Sequence, residues 1–138
     1  MNNKRALEPE LKAMLLNHLR NRKSLSCSDT IMNEFTVGDF SRRVDLALIR
    51  DCELIGFEVK SEADSLYRLE GQTQKYLEYF DKVVIVAASK HIPSILSLVP
   101  NNVGVWEVLG DRIVIRRRGI KKRISKKLSF IEMMRVSE

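Results

Sequence analysis

Leu7, Leu11, Met14, Leu15 and Leu19, with His18 among them, recur at three- and four-residue steps. This spacing predicts an amphipathic helix from about Arg5 to Lys23, with Pro9 tolerated in its first turn. The period then shortens to two. "TIMNEFTV", "RRVDLALI" and "LIGFEVK" read as three strands joined at "GDFS" and "RDCE", an antiparallel meander. Helical spacing returns in "SEADSLYRLEGQTQKYLEYF", where Leu66, Leu69, Thr73, Leu77 and Phe80 form one stripe and Ser61 with Asp64 resembles a starting cap. The continuous apolar run "KVVIVAAS" fits a strand buried on both faces, and the helix before it makes a crossover to a parallel neighbour. "HIPSILSLV" predicts a short helix, "VGVWEVLGDRIVIRR" a hairpin turning at Gly110-Asp111, and "GIKKRISKKLSFIEMMRVSE" a basic amphipathic helix. The sum is one α/β domain, a mixed central sheet flanked by helices.

Charge sharpens this picture once it is located. Nine of the 24 basic residues fall between Arg112 and Lys127 with no acid among them, leaving 15 bases against 18 acids elsewhere. Such a segment suits a polyanion, nucleic acid before an anionic membrane, or else is a solvated tail. No apolar run approaches bilayer length and no signal-peptide pattern is present, so a cytoplasmic protein without membrane attachment is expected. Cys27 and Cys52 stand apart without a CxxC, which signals neither zinc nor a redox pair.

The candidate chemistry lies where charges interrupt the strands. Strand alternation sets Ile55, Phe57 and Val59 on one face and Gly56, Glu58 and Lys60 on the other. It likewise opposes Val44, Leu46 and Leu48 to Arg43, Asp45 and Ala47, so each charged face carries a small residue that leaves space beside the charge. If the two strands pair, Asp45 and Glu58 converge. Neighbouring carboxylates repel, and a divalent cation compensates them. Oxygen ligands without His or Cys favour Mg²⁺ or Mn²⁺ over zinc or copper. The tripeptide Glu-x-Lys also occurs at Glu10-Leu11-Lys12, on the first helix, where it needs no special reading; an ion pair on an open sheet face is the plainer account of Glu58 and Lys60.

Asp45, then Glu58-Val59-Lys60, then the helix carrying Asp64, Arg68, Gln72 and Tyr76 resemble the PD-(D/E)xK nuclease superfamily from about Ile31 to Val105. The pattern is similar to small stand-alone bacterial and phage members and to the MmcB-type DNA-repair family, and Gln72-x-x-x-Tyr76 resembles an element of RecB-like nucleases. The resemblance implies a restriction-endonuclease-like sandwich over residues 1–118, with 119–138 as a basic, helical appendage. It implies a Mg²⁺- or Mn²⁺-dependent nuclease acting on DNA, in repair, restriction or phage defence. Asp45 and Glu58 would hold metal with the Val59 carbonyl, Lys60 would orient water or offset developing charge, and Gln72 would support the site. The superfamily often adds an upstream acid; Glu34 is preferred here over Glu8 and Glu10. Arg43, Arg68, Tyr76, Arg116, Arg117, Arg118, Lys121, Lys122 and Arg123 are the expected nucleic-acid contacts. Breaking a duplex would need a homodimer or two successive nicks. Three rivals stay open: a catalytically silent nuclease-fold binding module, against which the intact Asp, Glu, Lys set speaks, an RNA-cleaving toxin or defence component, and an interaction protein whose basic tail docks an acidic partner.

Overall fold

The computed structural model describes residues 7–21, 29–37, 42–50 and 53–122. Helix α1 (Glu8–Asn21) precedes strands β1 (Thr30–Val37), β2 (Arg42–Arg50) and β3 (Glu53–Lys60). Helix α2 (Leu69–Tyr79), strand β4 (Lys82–Ala88), a 3-10 turn at Ser89–His91, helix α3 (Ile92–Leu98) and strands β5 (Gly104–Leu109) and β6 (Arg112–Arg117) follow. The strands form one sheet in sequence order. Pairing is antiparallel from β1 to β3, parallel from β3 through β5, and antiparallel at β6. The expected mixed α/β sheet is therefore what the chain builds.

Both faces of the sheet are covered. Leu11, Leu15 and Leu19, on one side of α1, pack with Leu46, Leu48, Phe57, Val59 and Trp106. The other face carries Leu69, Tyr76 and Phe80 from α2 and Ile92 and Ile95 from α3 over Ala47, Val83, Ile85 and Val105. Because the β3–β4 and β4–β5 crossovers join adjacent parallel strands in the same direction, their helices share one side, as right-handed connections require. The consequence for β3 is burial on both faces from Leu54 to Lys60. Glu58 and Lys60 thus sit inside a second core, and the open sheet face expected beside them does not exist.

Two elements depart from the sequence pattern. Helix α2 starts at Leu69, because Asp64 turns back instead of capping it: its Oδ2 accepts the Ser61 N–H at 2.7 Å and the Ser61 hydroxyl at 2.9 Å, tying off a separate turn. Beyond β6, the expected C-terminal helix is absent from residues 119–122. The Ile120 N–H donates to the Asn102 carbonyl (2.8 Å), the Lys122 N–H to the Asp81 carbonyl (2.7 Å), and Lys121 Nζ lies 3.2 Å from Glu53 Oε2. The segment is thus a strap across the amino ends of the parallel strands. Gly104 and Gly119 permit it to lie so close, since a Cβ on Gly104 would come 2.8 Å from the Gly119 nitrogen. Residues 123–138, with Arg123, Lys126 and Lys127, and both cysteines lie outside the described residues.

Candidate active site

The site is built where the β1–β2–β3 ladder breaks. Regular pairing of β2 with β3 ends at Leu46–Phe57, and β1–β2 pairing skips the step between Asn33–Leu46 and Phe35–Val44. The skipped residues are Glu34 and Asp45, and Glu34 has a φ of 53°, a left-handed conformation that a side-chain-bearing residue rarely holds. The break reverses the alternation of β2. Val44 joins Ala47 in the core under α2, while Leu46 and Leu48 face α1, so the expected grouping of Val44 with Leu46 and Leu48 is corrected. Freed from the ladder, Asp45 uses its carboxylate as a strand acceptor, taking the Val59 N–H on Oδ2 at 2.7 Å.

Glu58 is surrounded. Lys60 Nζ lies 3.6 Å from its Oε1, Gln72 Nε2 donates to the same oxygen at 3.3 Å, and the Tyr76 hydroxyl lies 3.1 Å from Oε2. That hydroxyl is also 2.8 Å from the Arg43 carbonyl. A phenol has one proton. Both contacts are satisfied together when Tyr76 donates to Arg43 and a protonated Glu58 donates to Tyr76. Electrostatics agree, because burial first, and the Asp45 carboxylate second, push Glu58 up to about 8 against the pull of Lys60 and Tyr76. Burial likewise raises Asp45 to about 6, opposed by the Val59 N–H and assisted by Glu8.

The expected site residues separate into those the fold gathers and those it does not. Asp45, Glu58, Val59, Lys60 and Gln72 come together. Tyr76 joins them from the inside: it is fully buried, so its expected contact with nucleic acid is corrected to a bond that holds Glu58. Gly56 does not leave open space beside the charges, since the Phe80 ring fills it and a Cβ there would meet that ring at 3.0 Å. Arg68 is exposed at the amino end of α2. Glu34 points toward Lys12 Nζ (4.0 Å) and Arg43 Nη1 (3.9 Å), half-exposed, while Glu8 is the α1 acid that acts on Asp45. Glu8 and Lys12 were both legible as residues one helical turn apart, but nothing in their spacing revealed that α1 lays its first turn beside Asp45.

The basic segment is likewise redistributed. Arg116 Nε donates to Glu107 Oε1 at 2.6 Å. Arg117 holds the loop before β5 through the Val103 carbonyl (3.0 Å) and the Pro100 carbonyl (2.9 Å). Arg116, Arg117 and Lys121 thus have intramolecular work, and Arg118 and Lys122 are exposed. The strap ends beside Glu53, five residues from Glu58, which is about 17 Å along a strand.

Among the described residues no three His, Cys, Asp or Glu side chains converge as a ready metal cage. The donor set nevertheless suits a hard cation that keeps several waters, which one or two carboxylates suffice to hold. Glu58 is buried, Asp45 is half-buried and its charge repels that of Glu58, and the neighbouring Gln72 Oε1 is a buried acceptor with no partner among the described residues. A cation with bound water would answer both.

Known proteins place the chain. A solved structure from Silicibacter pomeroyi, SPO1766, a protein of unknown function, superposes with a TM-score of 0.62 at 19% identity, covering 92% of this chain and 86% of that one. Pyrococcus furiosus SfsA in complex with Ca²⁺ gives a TM-score of 0.43 at 15% identity, over 82% and 65% of the two chains. Protein cII of Enterobacteria phage P4 is 40% identical over 115 residues. These residues are 83% of this chain but 43% of that protein, so the chain spans less than half the length of that relative. Residues 1–138 match the family described as Bacteriophage P4 protein cII, and the chain belongs to that family.

Proposed function

We propose that the protein is a Mg²⁺- or Mn²⁺-dependent nuclease of restriction-endonuclease-like type, cutting DNA phosphodiester bonds in the cytoplasm. The observation that carries the reading is the buried Glu58 with Lys60 on the same strand and the half-buried Asp45 bonded to Val59 between them. The Asp45 charge adds to the burial that raises the proton affinity of Glu58, an arrangement with no structural benefit that a Leu or Gln would not supply better. A cation held by Asp45, Glu58 and the Val59 carbonyl would supply Lewis acidity to a phosphate oxygen and acidify a water.

The chain's own residues then have distinct work. Asp45 is fixed by its bond to Val59, so its second oxygen is presented without rotamer freedom. Tyr76 and Gln72 do the same for Glu58 from α2. Lys60, buried with its ammonium at the carboxylate edge, orients the attacking water or meets the charge that builds on phosphorus. Gln72 Oε1, a buried acceptor, would take a hydrogen bond from a water at the same edge.

Cleavage of supercoiled plasmid, single-stranded DNA and RNA, with Mg²⁺, Mn²⁺ or EDTA, tests this reading in wild type, Asp45→Ala and Lys60→Ala. Metal-dependent cutting of DNA that both substitutions abolish is the expected result. Cutting of RNA alone would move the substrate class. Binding without cutting, equal in all three proteins, would support the second reading, a silent binding module. The closure of both Glu58 oxygens by Lys60, Gln72 and Tyr76 favours that rival.

A further inference from the structure

Each acid of the pair has its own lysine. Lys60, from β3, stands beside Glu58; Lys12, from α1, stands on the Asp45 side, bonded to Asn33, whose strand partner Leu46 follows Asp45. Lys12 Nζ lies 2.9 Å from the Asn33 side-chain oxygen, 3.6 Å from Glu8 and 4.0 Å from Glu34. Its side chain is only 14% exposed, an unusual position for a lysine on the outer helix of a small domain. The same lysine lines a groove of about 700 Å³ between α1 and β1, whose walls include Glu8, Leu16, Asn33 and Glu34. A volume of this size admits a nucleotide. The strained backbone of Glu34 forms its rim.

We infer that Lys12 is a second phosphate-binding lysine of the candidate site, taking a phosphate next to the one cleaved, with the flanking nucleotide in the α1–β1 groove. This rests on the nuclease reading. Lys12 now satisfies its ammonium with a neutral amide and two carboxylates beyond close bonding distance. A phosphate oxygen offers the ammonium a full charge in place of the amide, and the flexible lysine stem reaches it without moving α1. Until then the ammonium offsets part of the charge of Glu8 and Glu34 and so weakens the pull of this cluster on a cation. Lys12 therefore opposes the cation and favours the substrate. A merely structural lysine would oppose the cation without favouring the substrate.

The test compares the full chain with Lys12→Met and Lys12→Arg, using circular dichroism melts to confirm folding. Mn²⁺ affinity is measured by calorimetry without nucleic acid, and oligonucleotide affinity in Ca²⁺. Removing the positive charge should tighten Mn²⁺ by about fivefold or more, while weakening the oligonucleotide by about tenfold; the arginine variant should resemble wild type in both. Opposite signs in one variant identify the role, because loss of structure weakens both. Unchanged oligonucleotide binding in a folded Lys12→Met protein, or unchanged Mn²⁺ affinity, overturns the inference while cleavage by the wild type keeps the nuclease reading. A wild type that neither takes up Mn²⁺ nor cuts overturns both.

Discussion

Glu58→Gln should stabilise the cation-free protein, and by an amount that grows with pH. Glu58 titrates near 4.5 when exposed but is pushed up to about 8 in the fold, chiefly by burial. A raised carboxyl contributes nothing below the unfolded value, where both states are protonated, and destabilises increasingly as pH rises from about 4.5 to about 8. At 1.36 kcal/mol per pH unit the full window corresponds to about 5 kcal/mol, of which about 3 kcal/mol is present at pH 7. Glutamine keeps the shape and cannot ionise. Its amide donates to the Tyr76 hydroxyl, which keeps its own proton on the Arg43 carbonyl. The pull of Lys60 is already contained in this window; burying the unpaired half of the new amide reduces the gain by about 1 kcal/mol. Urea unfolding in EDTA at pH 4.5, 7 and 8.5 reads the effect directly. The variant should match wild type at pH 4.5 and exceed it by about 2 kcal/mol at pH 7 and more at pH 8.5; added Mn²⁺ should restore the wild type and leave the variant behind. A stability difference that does not change with pH, or a variant weaker at pH 8.5, would refute the reasoning, because Glu58 would then be an ordinary ionised partner of Lys60.

Other substitutions report on neighbouring parts of the argument. Tyr76→Phe leaves the Arg43 carbonyl without its side-chain donor inside the core and should lower stability by about 1–3 kcal/mol in thermal unfolding. Gly56→Ala drives a methyl group into the Phe80 ring and should cost about 1–3 kcal/mol, recovered in part when Phe80→Leu is added. Neutralising Arg118 and Lys122 should flatten the salt dependence of nucleic-acid binding by at most about two phosphate contacts and leave the cleavage rate at saturation unchanged, because the strap lies at the far end of the sheet. Arg117→Met should instead destabilise the fold, since it removes the donors that hold Pro100 and Val103.

The sheet was legible because its cues are local. The period-two runs, the apolar "KVVIVAAS" and the Gly110 turn, with φ of 59°, each declare a strand or a connection from their own residues. Asp45 and Glu58 could be set on facing strands for the same reason. What escaped was everything that depends on a third element. Whether β3 has an open face is decided by two helices from opposite sides of the sheet, so Glu58 read equally well as a surface ion pair. The start of α2 depended on Asp64 bonding backward to Ser61, which the same residue types would also supply as a forward cap. The basic run looked like one patch because charge counts ignore direction, while a hairpin and a reversal sent Arg116 to Glu107 and Lys121 to Glu53. Glu8 and Lys12 were hidden most completely. Their spacing is that of any amphipathic helix, and only the docking of α1 on Leu46, Phe57 and Val59 brings that turn to Asp45.

The bond from Val59 N–H to Asp45 makes one amide in the protein a spectroscopic gauge. Its neighbours in β3 are held by backbone carbonyls, whose electron density is fixed, whereas the Val59 proton rests against a carboxylate 2.7 Å away. Protonation of Asp45, or a cation drawing on the same carboxylate, changes the shielding at that nitrogen and its proton without moving the strand. In an amide correlation spectrum of labelled protein, the Val59 resonance should therefore travel during a Mn²⁺-free Mg²⁺ titration or an acid titration while Phe57 stays still. Occupancy of the site can thus be followed without a substrate and before any reaction is known.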